Sequence, residues 1–310
     1  MTQTSIILDC DPGHDDAIAL LLALASPELE VVGVTTVSGN QTVDKTTANA
    51  LRILELAGRA DIPVHVGADR PFVRERDVAA HVHGESGLDG PDLPPPTTAA
   101  REQHAVAFLA EQIAARAGQI TLVATGPLTN VGLLFALHPE VRPERIVLMG
   151  GSVGEGNRTP AAEFNIWADP EAAERVFVEG LDTTMVGLDV THRALITDAH
   201  TEELRGAGKV GTVVAELMDF YARFHKARYP ELDGSPMHDP VCIAHLVAPG
   251  LVDVRDALIE VDCGDGPSRG RTNVDWRDRE HFGAPNGKVG LDLDGDAFAR
   301  LVVERIASLG

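Results

Sequence analysis

Basic residues are scarce in this 310-residue chain: 26 Lys and Arg stand against 47 Asp and Glu, a net charge of -21. Such an excess repels nucleic-acid phosphates and anionic membrane surfaces, so neither is expected as a partner. A small neutral molecule or a cation suits it better. Cysteine is also sparse, with Cys10, Cys242 and Cys263 forming an odd set without metal-type spacing. That pattern excludes a disulfide framework and a zinc site, and points to a reducing compartment. No apolar run reaches the ~18 residues of a membrane span. The stretch Met1 to Ser5 carries no basic segment of the kind that opens an export signal. A cytoplasmic protein is therefore expected.

What is present is enough apolar material, 44% of the chain, to bury a large core. Short, unbroken apolar runs recur at Ile6 to Leu8, Val31 to Val37, Ile120 to Ala124, Ile146 to Met149 and Thr184 to Leu188. Runs that lack alternation suit strands covered on both faces. Helical patterns separate them at Ala17–Ala25, Asp44–Ala57, Arg101–Arg116, Leu128–Leu137 and Pro170–Val178. This alternation builds right-handed βαβ units. After Leu188 a helix-rich block runs to about Val247, followed by shorter strands near Leu258 to Val261 and Val289 to Leu293 and a final helix. No repeat or linker divides the chain, and Pro94 to Pro96 reads as a stiff surface loop. The expectation is one α/β domain over residues 1–310. Its core would be an open, mostly parallel, mixed Rossmann-like sheet with helices on both faces and a helical block over the carboxyl edge, where such sheets bind ligands.

The first strand ends in Asp9, and Asp11, Asp15 and Asp16 crowd the turn into the next helix. Carboxylates so close must either hold protons or share a cation. A lone Asp in a first helical turn is ordinarily explained by the helix dipole, but three within six residues are not. A phosphate loop is excluded, since the glycines it needs are missing and the acids would repel the anion. Polar residues also stand where other strands should end: Asn40, Thr125 and the run Met149-Gly150-Gly151. Farther along, Asn157, Glu163, Phe164 and Asn165 precede a helix near Asp169-Pro170, and His238-Asp239-Pro240 opens another. Asp239 alone reads as a helix cap as readily as a ligand; His238 beside it favours function.

Taken in order, Asp9 to Ala17, Val82-His83-Gly84, Ala124 to Leu128, Met149-Gly150-Gly151, Ala162 to Ala173 and His238-Asp239-Pro240 resemble the inosine-uridine nucleoside hydrolase family. The resemblance implies hydrolysis of the N-glycosidic bond of inosine, uridine or cytidine to base and ribose, in ribonucleoside catabolism and salvage. It implies one Ca²⁺ per subunit held by Asp11, Asp16, Asp239 and the Thr125 carbonyl, which agrees with the all-oxygen ligation calcium prefers. Asp11 would be the general base, with His238, helped by His83, assisting the departing base. Asp15, Asn40 and Asp239 would hold the ribose 2'- and 3'-hydroxyls, and Asn157, Glu163 and Asn165, with Met149 and Phe164, the rest of the sugar. Assembly as a tetramer or dimer is implied as well.

The base end is less defined. Tyr221, His225 and Tyr229 share one helical face and could line a base pocket or a core. Pyrimidine-preferring members carry a glutamine about where His225 falls and a tyrosine about where Tyr229 falls, so half of that pattern is present and a nonspecific enzyme is the middle reading. Trp167 reads as packing, while Trp276, in the polar loop Asp275 to Asp278, is left open as a base-stacking residue. His14, His65 and His81 read as ordinary loop histidines. A metal-dependent phosphohydrolase and a non-catalytic nucleoside sensor remain as alternatives. The first would need basic groups that the cluster lacks, and the second would have no use for Asp11 or His238.

Overall fold

A computed structural model describes residues 3–277 and 283–310; Met1, Thr2 and Asp278 of the segments discussed above lie outside them. The chain opens with β1 (Thr4–Cys10), α1 (His14–Leu24), β2 (Leu29–Thr36), α2 (Val43–Leu56) and β3 (Val64–Val66). Then come α3 (Ala80–His83), α4 (Ala105–Ala115), β4 (Thr121–Ala124), α5 (Thr129–Leu137) and β5 (Arg145–Met149). They are followed by α6 (Phe164–Ala168), α7 (Pro170–Phe177), β6 (Thr183–Val186), α8 (Leu188–Thr191), β7 (Leu195–Ile196), α9 (Asp198–Arg205) and α10 (Gly208–Arg228). The remainder is β8 (Ser235–Pro236), α11 (Pro240–Val247), β9 (Val252–Val261), β10 (Thr272–Asp275), β11 (Gly287–Leu293) and α12 (Gly295–Ala307).

Nine strands form one sheet in the order β10-β9-β11-β6-β5-β4-β1-β2-β3. Pairing is parallel from β11 to β3 and antiparallel where β9 meets β11 and β10. The apolar runs serve both faces, because successive side chains in a strand point to opposite sides. Ile6 and Leu8 enter a core with Leu20 of α1, Ile243 of α11 and Phe298 of α12. Ile7 joins the opposite core with Leu109 of α4, Phe135 of α5 and Phe177 of α7. The mixed, mostly parallel sheet with helices on both faces is thus the expected one.

Some elements differ from the sequence reading. β3 is only 3 residues long, too short to show a period. β9 runs for 10 residues, not only near Leu258 to Val261, because Asp253, Arg255 and Asp256 break the apolar pattern of its first half. α4 starts at Ala105 and not at Arg101, since the His104 side chain accepts a hydrogen bond from the Val106 amide and caps the helix there. Among the described residues no helix is long and apolar enough to cross a membrane. The cysteines are all unpaired, with Cys10 and Cys242 buried.

One consequence of the strand order fixes the site. From β1 the chain moves outward to β2 and β3, then returns to the other side of β1 as β4. A crevice opens at such a switch point, at the carboxyl ends of the strands. The acidic loop after β1 and Thr125 after β4 flank it. The C-terminal part of α10 and the start of α11 cover it from the side, as Tyr221, His225, Tyr229, His238 and Asp239 all line the same pocket.

Candidate active site

The floor of the pocket is built from the acidic loop. Asp16 stands in the first turn of α1, where one carboxylate oxygen accepts from the Gly13 amide (3.0 Å) and the Asn40 side chain (2.9 Å) and the other from the Thr125 hydroxyl (2.8 Å). Asp11 is fully buried; its Oδ2 accepts from the Asn40 backbone amide at 2.6 Å. Its Oδ1 is buried with no hydrogen-bond partner among the described residues. A Cβ on Gly39 would collide with Asp11 Oδ2, and one on Gly126 would lie 2.6 Å from Oδ1, so both loops must present glycine to seat this carboxylate.

Asp239 stands at the N-terminus of α11 yet makes no side-chain cap hydrogen bond. Its carboxylate turns instead toward the loop, within hydrogen-bonding reach of Asp16. Oxygens of Asp15, Asp16 and Asp239 lie within 4.8 Å of one another, a group that could hold a metal ion. The sequence assigned Asp15 to ribose and Asp11 to the metal. In the structure Asp15 stands inside the convergent group, whereas Asp11 adjoins it through the loop they share. Asp15 also faces the Tyr221 hydroxyl, which favours its ionised form, and lines the pocket.

Burial drives the electrostatics here. It pushes Asp15 up to about 7, helped by the Asp16 charge, and raises Asp16. Asp11 and Asp239 are held well above the usual carboxylate range, by burial first and then by neighbouring aspartates. Without a cation these groups keep protons; a cation among them reverses that preference. The orphaned Asp11 Oδ1 and the all-oxygen donor set fit a hard divalent ion.

Walls rise from the neighbouring strand ends. Glu163 caps α6, accepting from the amides of Asn165 (2.9 Å), Gly151 (3.0 Å) and Ile166 (3.2 Å). Burial nevertheless carries its carboxyl up to about 7. Asn165 donates to the carbonyls of Thr125 (2.8 Å) and Met149 (3.1 Å), tying β4 and β5 together. Asn157 accepts from the Phe164 amide at 2.9 Å. Asn40, Thr125, Met149, Asn157, Glu163, Phe164 and Asn165 all line the pocket beside Asp15.

At the other end the lining is neutral and aromatic. His83 is 5% exposed, and its Nδ1 lies 3.2 Å from both the backbone nitrogen and Nδ1 of His14. His238 rests with its Nδ1 2.8 Å from the Thr191 hydroxyl. Burial lowers His225 to about 4 and holds His83 and His238 well below the ordinary histidine value. Tyr229 completes this end of the pocket.

The structure therefore gathers every sequence-assigned substrate residue into one pocket, with Asp11 and Asp16 beneath it. It adds some that sequence reasoning passed over. His81 lines the pocket, as do Phe224, Arg158 and Arg228, and Tyr221, which the sequence left between base pocket and core, stands in the lining too. His14 is not an isolated loop histidine but the neighbour of His83. Trp276 is absent from this lining and packs with Arg255 at a separate groove on β10. Trp167 is likewise outside it, with the Arg158 guanidinium 4.2 Å and the Arg269 guanidinium 4.3 Å from its ring centre.

An open α/β sheet whose switch point carries a buried, cation-ready acid cluster beneath a pocket walled by neutral rings defines an enzyme for a small uncharged substrate. A model of the inosine-uridine preferring nucleoside hydrolase family matches residues 6–300, and the chain belongs to that family. It is 50% identical over 307 residues to a pyrimidine-specific ribonucleoside hydrolase, RihA, of Klebsiella pneumoniae, covering 97% of this chain and 98% of that protein. It is 51% identical over 305 residues to RihA of an Enterobacter species, covering 97% of each. Among solved structures, a purine-preferring ribonucleoside hydrolase from Gardnerella vaginalis superposes with a TM-score of 0.93 at 34% identity, over 98% of each chain. A plant nucleoside hydrolase does so with a TM-score of 0.93 and 34% identity, over 99% of this chain and 100% of the other. The protein is thus a hydrolase acting on N-glycosyl bonds, releasing base and ribose from ribonucleosides. The sensor and phosphohydrolase alternatives fall away.

Proposed function

We propose that the enzyme cleaves pyrimidine ribonucleosides by preference, with Asp11 as general base and Ca²⁺ as its metal. The observation that carries the base and metal assignments is the buried Asp11 Oδ1, which has no hydrogen-bond partner among the described residues and adjoins a convergent acid group on the pocket floor. Asp11, Asp16, Asp239 and the Thr125 carbonyl would hold the ion, with Asp15 close enough to share it; when bound, it orients a water and the ribose diol and lowers that water's pKa.

Cleavage of the C1'-N bond leaves positive charge on the sugar and negative charge on the base. Asp11 takes the proton of the attacking water as its oxygen bonds to C1'. Asp15 and Asn40 grip the 2'- and 3'-hydroxyls, and Glu163, Asn165 and Asn157 face the 5' side. His238, neutral by burial, donates a hydrogen bond to the base as charge develops, and His83 supports it from the α3 side. The pyrimidine preference rests on the relatives at about half identity over nearly the full chain, which are named for it. His225 and Tyr229, which line the aromatic end of the pocket, read the base in this proposal. We place the enzyme in the cytoplasm as a dimer or tetramer, a state that sedimentation reads directly.

Ribose release from uridine, cytidine, inosine, adenosine and guanosine, with and without chelator, tests the reading. Uridine and cytidine should turn over fastest, and chelator should abolish turnover. Faster purine cleavage overturns the base preference, and chelator-insensitive activity overturns the metal. Asp11→Asn should lose about 10²- to 10⁴-fold in kcat while still folding and binding ribose.

A further inference from the structure

The strands of the sheet do not contribute equally to this pocket. The ends of β1, β2, β4 and β5 deliver Asp15, Asn40, Thr125 and Met149 to its lining, but β6, which passes through Gly187 into α8, delivers none of it directly. What it supplies is Thr191, the last residue of α8, fully buried behind His238.

The backbone around these two residues is fixed. β7 and β8 pair antiparallel, Leu195 opposite Pro236 and Ile196 opposite Ser235. The Met237 amide donates to the Ala194 carbonyl at 2.8 Å, and the Ala194 amide to the Thr191 carbonyl at 3.1 Å. That ribbon sets where the Cα of His238 stands but leaves the ring free to turn. Among the described residues the ring is held by one hydrogen bond, between Nδ1 and the Thr191 hydroxyl at 2.8 Å. Its aromatic neighbours His192 and His225, with ring centres 5.7 and 6.2 Å away, pack against it.

Among the described residues, this imidazole nitrogen is the only hydrogen-bond partner of the Thr191 hydroxyl. A buried hydroxyl with one neighbour able to accept directs its proton there. Nδ1 then carries the lone pair, and the neutral ring must hold its proton on Nε2. The opposite tautomer would strand the hydroxyl proton and leave Nε2 bare, unable to donate to a departing base.

We infer that Thr191 is a positioning residue that fixes His238 in the tautomer whose Nε2–H is presented to the leaving base. The inference rests on the assignment of His238 to leaving-group assistance made above. It predicts a dependence on the leaving group that a purely structural role lacks, because p-nitrophenolate departs without help and a nucleobase does not.

The test compares Thr191→Val, Thr191→Ser and His238→Ala on uridine and on p-nitrophenyl β-D-ribofuranoside. Thr191→Val keeps the side-chain shape and should lower kcat on uridine by about tenfold, the size of one hydrogen bond. Turnover of the nitrophenyl riboside should stay within about twofold, and Thr191→Ser should restore uridine cleavage. Equal losses on both substrates, or none on uridine, overturn the inference. If His238→Ala shows no selective loss on uridine, the His238 assignment itself fails. If His238→Ala is selective and Thr191→Val is not, only the role of Thr191 fails. Long-range ¹H–¹⁵N spectra of the unaltered enzyme, assigned against His238→Ala, give an independent reading: an unprotonated Nδ1 supports the inference and an Nδ1–H overturns it.

Discussion

Asp11 shows how a single side chain is made reactive by what surrounds it. Gly39 and Gly126 leave room for its carboxylate, and the Asn40 amide holds one oxygen while the other stays bare. Gly126→Ala would set a methyl 2.6 Å from that bare oxygen and 2.9 Å from Cγ1 of Val37, a branched side chain with little freedom to turn. The carboxylate must rotate, and misplacement of a reacting group by ~1 Å costs on the order of 10²-fold in rate. The expected outcome is a loss of that size in kcat with nearly unchanged binding of ribose, measured by steady-state kinetics and competition by ribose. At the sugar, Asp15 and Asn40, both buried and lining the pocket, hold the ribose hydroxyls in the proposed complex. A substrate lacking one leaves them unpaired, so 2'-deoxyuridine should be cleaved roughly 10⁴-fold less efficiently than uridine. Comparable kcat/KM values for the two would remove Asp15 and Asn40 from the diol.

At the scale of the element, α6 is short but anchors two strand ends. Its cap, Glu163, gathers the amides of Gly151, Asn165 and Ile166, and Asn165 then reaches the Thr125 and Met149 carbonyls. Glu163→Ala removes the acceptor for all of these amides. A lost N-cap costs about 0.5–2 kcal/mol, read as a lower urea midpoint. KM should rise as well, because the Asn165 amide no longer has a fixed start; unchanged KM with lowered stability would confine Glu163 to a structural role. Such elements differ in how far the sequence shows them. The acidic loop and α1 are contiguous, so Asp11, Asp15 and Asp16 announce themselves by crowding. Residues such as Thr191, His81 and Arg158 reach the site through loops and short helices whose course no period encodes, and only the folded chain brings Thr191 against His238, 47 positions away. The long strand β9 was half hidden for another reason, since its first half lies on a solvated stretch and carries Asp253, Arg255 and Asp256.

For the whole molecule, the mostly parallel sheet with helices on both faces was legible because each apolar run sits in the interior with both faces covered, whereas the strand order, and with it the switch point at β1 and β4, emerges only in the folded chain. What the run of motifs could not show is the cost of gathering Asp11, Asp15, Asp16 and Asp239 in one buried place on a chain of net charge -21. That cost makes stability depend on pH in a direction set by the raised carboxyl values. Asp15 moves from 3.8 to about 7, so the metal-free native state binds a proton that the unfolded chain has lost. Its stabilising contribution is complete below about pH 4 and is lost as pH rises through 7. A bound cation favours the ionised carboxylates and offsets that loss. The gap in melting temperature between the calcium-loaded and the dialysed enzyme should therefore be small at pH 5 and widen steadily toward pH 7.5, as read by calorimetry at fixed ionic strength. A gap of the same size at both ends of that range would mean that the cation does not sit among these carboxylates, and the division of labour proposed for the acidic loop would have to be redrawn.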